Sequence, residues 1–124
     1  MITGSVHPGG EIVVPVRLRG PNGFIAEVQS VVDTGFNDWL TLSPQAIDEL
    51  ALRLREEGRY TLADGSQAVA RPFALEIDWF GQWRRILAVE IDGGPLLGMA
   101  TIRGCYLGIE VIDGGHVEIR PLNP

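Results

Sequence analysis

The sequence predicts an all-β fold with one main helix, and three observations carry that reading. Short stretches alternate apolar and polar residues, the period of a half-buried strand. Turn chemistry separates them, in a chain of 124 residues that holds 16 glycines and 8 prolines. Only the stretch from Ser43 to Gly58 spaces its apolar residues as a helix does. The length suits a single domain, 1–124, with a modest core. No segment between residues 11 and 122 reads as a linker or a low-complexity tract.

Taken in order, residues 1–10 carry Gly4, Pro8, Gly9 and Gly10 and read as an irregular N-terminal arm. Glu11 to Arg19 alternates, with Ile12, Val14, Val16 and Leu18 on one face, and Pro15 marks an edge or a bulge. Gly20-Pro21-Asn22-Gly23 is a turn into a second strand, where Phe24, Ala26 and Val28 share a face. That strand turns fully apolar at Val31-Val32 and runs into Asp33. Leu40-Thr41-Leu42 forms a short strand. Ser43 caps a helix that has Pro44 at its first position and Ile47, Leu50, Ala51 and Leu54 as one stripe. Asp48 and Glu49 would lie early in it, Arg53 and Arg55 late, and Gly58 would stop it.

Asp64-Gly65 between two strand-like runs signals a hairpin. Phe73 to Trp79 and Trp83 to Ile91 alternate around a turn at Phe80-Gly81-Gln82. Trp79 and Trp83 are expected to face each other, and Arg84-Arg85 to pair across strands with Glu76, Asp78 and Glu90. Asp92-Gly93-Gly94 leads into Leu96-Leu97-Gly98, a single helical turn at 99–103, a strand from Cys105 to Ile112, and a last strand from His116 to Leu122.

Composition narrows the function. A formal net charge of −6, from 10 arginines against 16 acids, argues against nucleic acid as partner, because phosphate binding needs a basic face. One cysteine, Cys105, allows no intramolecular disulfide and reads as a small core residue. No basic-then-apolar leader and no long apolar run is visible, so a cytoplasmic protein that does not enter a membrane is expected. His7 and His116 stand apart and read as exposed; with one cysteine they make no metal site, and no cofactor motif is present.

What remains is Val31-Val32-Asp33-Thr34-Gly35, a carboxylate delivered by a buried strand to a tight turn. Desolvating that charge is costly unless it is paired or hydrogen-bonded. Leu96-Leu97-Gly98 repeats the shape without the carboxylate. Taken alone, Asp33 could simply cap the backbone at residues 35–36, as turn aspartates do.

The two motifs together resemble the retropepsin-like aspartic proteases. Val32-Asp33-Thr34-Gly35 is similar to their active-site motif, and Leu96-Leu97-Gly98 to the apolar-apolar-Gly motif that follows it. Phe36 resembles a small prokaryotic Asp-Thr-Gly-Phe subset. The likeness spans about residues 11–122. It implies an acid-protease barrel as a single-lobe subunit, and a homodimer in which two copies of Asp33 share the work of a peptide-bond hydrolase. Thr34 would hydrogen-bond across the dimer, and Gly35 would admit substrate backbone. Phe36, Asn37 and Asp38 would line the peptide site. Asp64-Gly65-Ser66 would be the tip of a flap over a peptide or protein substrate. Terminal strands near residues 1–8 and 116–122 would build the dimer sheet, the C-terminus bearing more of it because the arm is a poor strand. Two departures stand out: bulky Phe36 beside the pair, and a charged flap tip. A catalytically silent dimerisation or peptide-binding module on the same fold is the alternative, and an unrelated small β-barrel a weaker one.

Overall fold

The computed structural model describes residues 1–54, 58–61, 67–70 and 72–123. Its strands are β1 (Ile2–Val6), β2 (Ile12–Arg19), β3 (Ile25–Val32) and β4 (Leu40–Leu42). Helix α1 (Pro44–Glu49) follows, then β5 (Gly58–Thr61), β6 (Gln67–Ala70), β7 (Pro72–Trp79), β8 (Gln82–Glu90) and β9 (Leu96–Leu97). Helix α2 (Met99–Ile102), β10 (Cys105–Ile109) and β11 (His116–Pro121) complete the chain. The fold is all-β, as the alternation predicts. No described helix is long and apolar enough to cross a membrane.

The main sheet runs β10-β11-β1-β2-β3-β9-β4-β8-β7, and β2 also pairs with β7. That last pairing closes β2, β3, β9, β4, β8 and β7 into a barrel. Its seam is short: only Leu18 with Ile77 and Arg19 with Glu76. Val14, Val16, Leu18, Leu40, Leu42, Leu75, Ile77, Ile86 and Leu97 fill the interior, in the parity their alternation predicts. Outside the seam, Arg19 Nη2 lies 2.9 Å from Glu76 Oε1 and Arg17 Nη1 3.2 Å from Asp78 Oδ2. Trp83 underlies both arginines.

Several expectations need correction. The N-terminal arm is a strand: β1 pairs with β11 along Ile2–Ser5 and with β2 at Ser5–Val6. Polar residues do not prevent this, because β1 lies between two strands that satisfy its backbone. Pro15 follows on β2 just past the residues that pair with β1, so its missing N–H interrupts no β1–β2 pair.

Helix α1 is shorter than its stripe. Ser43 Oγ accepts from Ala46 N–H as foreseen, but the helix ends at Leu50. Ala51 takes φ +53°, Ala51 N–H donates to Asp48 O, and Leu52 N–H donates to Ile47 O. This is a Schellman stop with alanine where glycine is usual. Asp48 and Glu49 therefore sit in the last turn rather than the first. Leu54 leaves the stripe and bridges Phe73. The Leu50 carbonyl abuts Gly20, where a Cβ would come within 2.0 Å of it, so the helix end is pressed against the β2–β3 turn. Gly58 opens β5 instead of ending α1.

Trp79 and Trp83 do not face each other. Trp79 is opposite Gln82 across a two-residue turn, Phe80-Gly81, with both φ positive. Trp79 points inward beside Phe80, and Trp83 outward. Of the expected arginine pairs, Arg85 does lie opposite Glu76, but the close ion pairs that Glu76 and Asp78 make among the described residues are with Arg19 and Arg17. Strand β10 stops at Ile109, and residues 110–115 form the turn. The hairpin around residue 64 is present, with Thr61 opposite Gln67; its tip, Asp64-Gly65-Ser66, lies outside the described residues.

Candidate active site

β3 delivers Asp33 because it is held on both sides. β2 pairs along its length, and β9 runs parallel to its end, Val31 beside Leu96 and Val32 beside Leu97. Asp33 N–H donates to Leu97 O at 3.0 Å. The chain then turns: Phe36 N–H donates to Asp33 O at 3.2 Å, and Gly35 N–H donates to Asp33 Oδ1 at 2.9 Å. The carboxylate is half-buried, and Thr34 and Gly35 are exposed. One carboxylate oxygen is thus fixed by the backbone. Oδ2 has no protein partner among the described residues, and neither has the Thr34 hydroxyl.

The rest of the loop is clamped by the second motif. Met99 N–H donates to Phe36 O at 2.8 Å, Ala100 N–H to Asp38 O at 3.2 Å, and Gly98 N–H to Trp39 O at 3.0 Å. Gly98 is glycine for a steric reason. A Cβ there would lie 2.0 Å from Asp38 O and 2.6 Å from Phe36 Cδ2. Leu96-Leu97-Gly98 is therefore the structural counterpart of the Asp33 turn, as the repeated shape suggested.

Sequence reasoning missed the residues that hold the clamp. Buried Thr101 donates its hydroxyl to Trp39 O at 2.7 Å. Arg84 Nη1 donates to Thr101 O at 3.1 Å, and its guanidinium lies 5.0 Å from the Trp39 ring centroid. Buried Thr41 Oγ1 accepts from Leu96 N–H at 2.8 Å. The only signal was a threonine inside an apolar triplet, Leu40-Thr41-Leu42.

Asp33, Thr34, Gly35, Phe36, Asn37 and Asp38 stand together on this one loop. Asn37 and Asp38 are exposed, and Phe36 is half-buried against Gly98. Asn37 also lines a shallow groove with Trp39, Arg84, Met99, Ala100 and Arg103. No three His, Cys, Asp or Glu side chains among the described residues are grouped to hold a metal ion. Cys105 is half-buried; burial pushes its thiol pKa up, against a hydrogen bond from Trp79 and the charge of Arg84. It is poorly suited to act as a nucleophile.

No protein-family model matches the sequence, and no curated protein matches it. Among solved structures, a retropepsin-like aspartic protease from Rickettsia conorii is similar, with a TM-score of 0.54 and 17% identity. The match covers 95% of this chain and 93% of that one. The fold is retropepsin-like. Such a fold fixes where β3 and β9 end, and here those ends carry Asp33 and Gly98. The chemistry has to be read from the loop itself.

Proposed function

We propose that this chain is one subunit of a homodimeric aspartic endopeptidase, in which each copy supplies one Asp33. The observation that carries this reading is the clamped turn. It presents a half-exposed carboxylate with one oxygen fixed by Gly35 N–H and the other without a protein partner among the described residues. Backbone bonds to Leu97, Gly98, Met99 and Ala100 hold the loop and so fix where that carboxylate stands.

Two carboxyl groups about 3 Å apart share one proton. The ionised member takes a proton from a water lying between them. The water oxygen bonds to the scissile carbonyl carbon, and the protonated member gives its proton to the carbonyl oxygen. The tetrahedral intermediate collapses as the C–N bond breaks and the amine leaves with a proton returned from the pair. Thr34, exposed beside Asp33, would bond to the partner's loop and keep the two turns level. Asn37 and Asp38 would hold peptide main chain, Phe36 would shape the side-chain pocket, and Asp64-Gly65-Ser66 would cover the substrate.

The test is Asp33→Asn, assayed against an unbiased peptide library with mass-spectrometric detection. Cleavage should fall at least about a hundredfold while the circular dichroism spectrum and melting curve stay close to the parent. Cleavage that survives the substitution would remove Asp33 from the chemistry.

A further inference from the structure

Three arginines on the surface stand close to acids. Arg17 and Arg19 reach Asp78 and Glu76, and Arg120 lies 3.9 Å from Glu118. Arg84 and Arg103 differ. Neither has an ion pair among the described residues, and both line one groove with Asn37, Trp39, Met99 and Ala100. No described acidic side chain lines it. In a chain of net charge −6, the groove is a local patch of opposite sign.

We propose that this groove binds acidic side chains of the peptide substrate, a few residues away from the bond that Asp33 attacks. Arg84 is already arranged to receive a carboxylate. Its Nη1 donates to Thr101 O at 3.1 Å, and its guanidinium lies 5.0 Å from the Trp39 ring centroid. A side chain held in this way loses little freedom when a ligand arrives. A guanidinium carries five N–H donors in a planar fork, and Thr101 O is the one acceptor it meets among the described residues. The remaining donors suit the two oxygens of a carboxylate.

Arg103 is exposed and adds a second positive charge. Trp39, Met99 and Ala100 make the rest of the wall apolar, which lowers the local dielectric and strengthens attraction between charges. The groove, of about 310 Å³, is at the lower end of the range for ligand sites and fits side chains of a peptide better than a large cofactor. It is also continuous with the Asp33 loop. Asn37 belongs to both, and Met99 and Ala100 donate their N–H groups to Phe36 O and Asp38 O. A peptide that crosses the Asp33 turn and reaches Asn37 therefore carries its next residues over Arg84 and Arg103.

The choice of substrate rests on the protease reading, but binding is measurable without cleavage. A fluorescently labelled hexaglutamate peptide, titrated with Asp33→Asn protein, should raise the anisotropy, and added salt should weaken the binding. Hexaglutamine should not bind. Arg103→Glu alters an exposed side chain and should weaken hexaglutamate at least about tenfold, with Arg103→Gln in between. Arg53→Glu makes the same charge change at an exposed arginine outside the groove and should have a much smaller effect. In a peptide library, sequences cut by the parent should be enriched in Glu and Asp near the cut, and Arg103→Glu should abolish that enrichment. No hexaglutamate binding, equal binding of hexaglutamine, an equal loss with Arg53→Glu, or cleavage without acidic enrichment would overturn the assignment. Binding that depends on Arg103 in a protein that never cleaves peptide would keep the groove and reject the protease reading.

Discussion

Ala51 is held at φ +53°, a conformation that costs an L-residue about 1 kcal/mol and glycine almost nothing. Both Schellman hydrogen bonds depend on it. Ala51→Gly should therefore stabilise the protein by about 0.5–1 kcal/mol in urea denaturation, despite the extra entropy glycine gives the unfolded chain. At this scale the sequence was informative where chemistry is local. Asp33 through Asp38 share a loop because they share a stretch of chain, and the bond from Gly35 N–H to Asp33 is what a turn aspartate makes. It was uninformative about Arg84 and Thr101. Their role is a contact with Trp39, 45 and 62 residues away, and nothing in their neighbours announces it.

Among elements, β2, β3, β7 and β8 were legible because each buries one face and alternates accordingly. Helix α1 was over-read because its i, i+3, i+4, i+7 spacing continues past Leu50, whereas the chain must turn to let Leu54 meet Phe73. Tertiary packing overrode a weak local preference. β1 was under-read because a strand paired on both sides draws its stability from its neighbours. β4 and β9, with three and two residues, are joined by a side chain as well as by backbone pairing: Thr41 Oγ1 satisfies Leu96 N–H at the start of β9. Thr41→Val should leave that N–H unpartnered and cost about 1–3 kcal/mol in the same denaturation experiment. Thr41→Ser, which keeps the oxygen, should cost clearly less. If β9 loosens, Gly98 and the loop it clamps loosen with it, so peptide cleavage should fall further in the valine variant than stability alone explains.

For the molecule as a whole, alternation predicted a barrel's ingredients but not its closure. β2 and β7 meet at two residue pairs separated by 57 to 59 positions in sequence, and no periodicity encodes that meeting. The interior at the seam is Leu18 against Ile77, while outside it lie the Arg19–Glu76 and Arg17–Asp78 pairs over Trp83. So short a join has a consequence for lifetime. The seam is the natural point at which the barrel unzips, and its outer latch is ionic and partly open to solvent. Ions in the medium weaken such a latch without touching the apolar interior. Raising salt from about 0.05 to about 0.5 M should speed unfolding about twofold in stopped-flow measurements, the size expected of exposed ion pairs. Arg19→Gln should unfold faster at low salt and respond less to added salt. The time a barrel stays shut would then be set partly by the ionic strength around it.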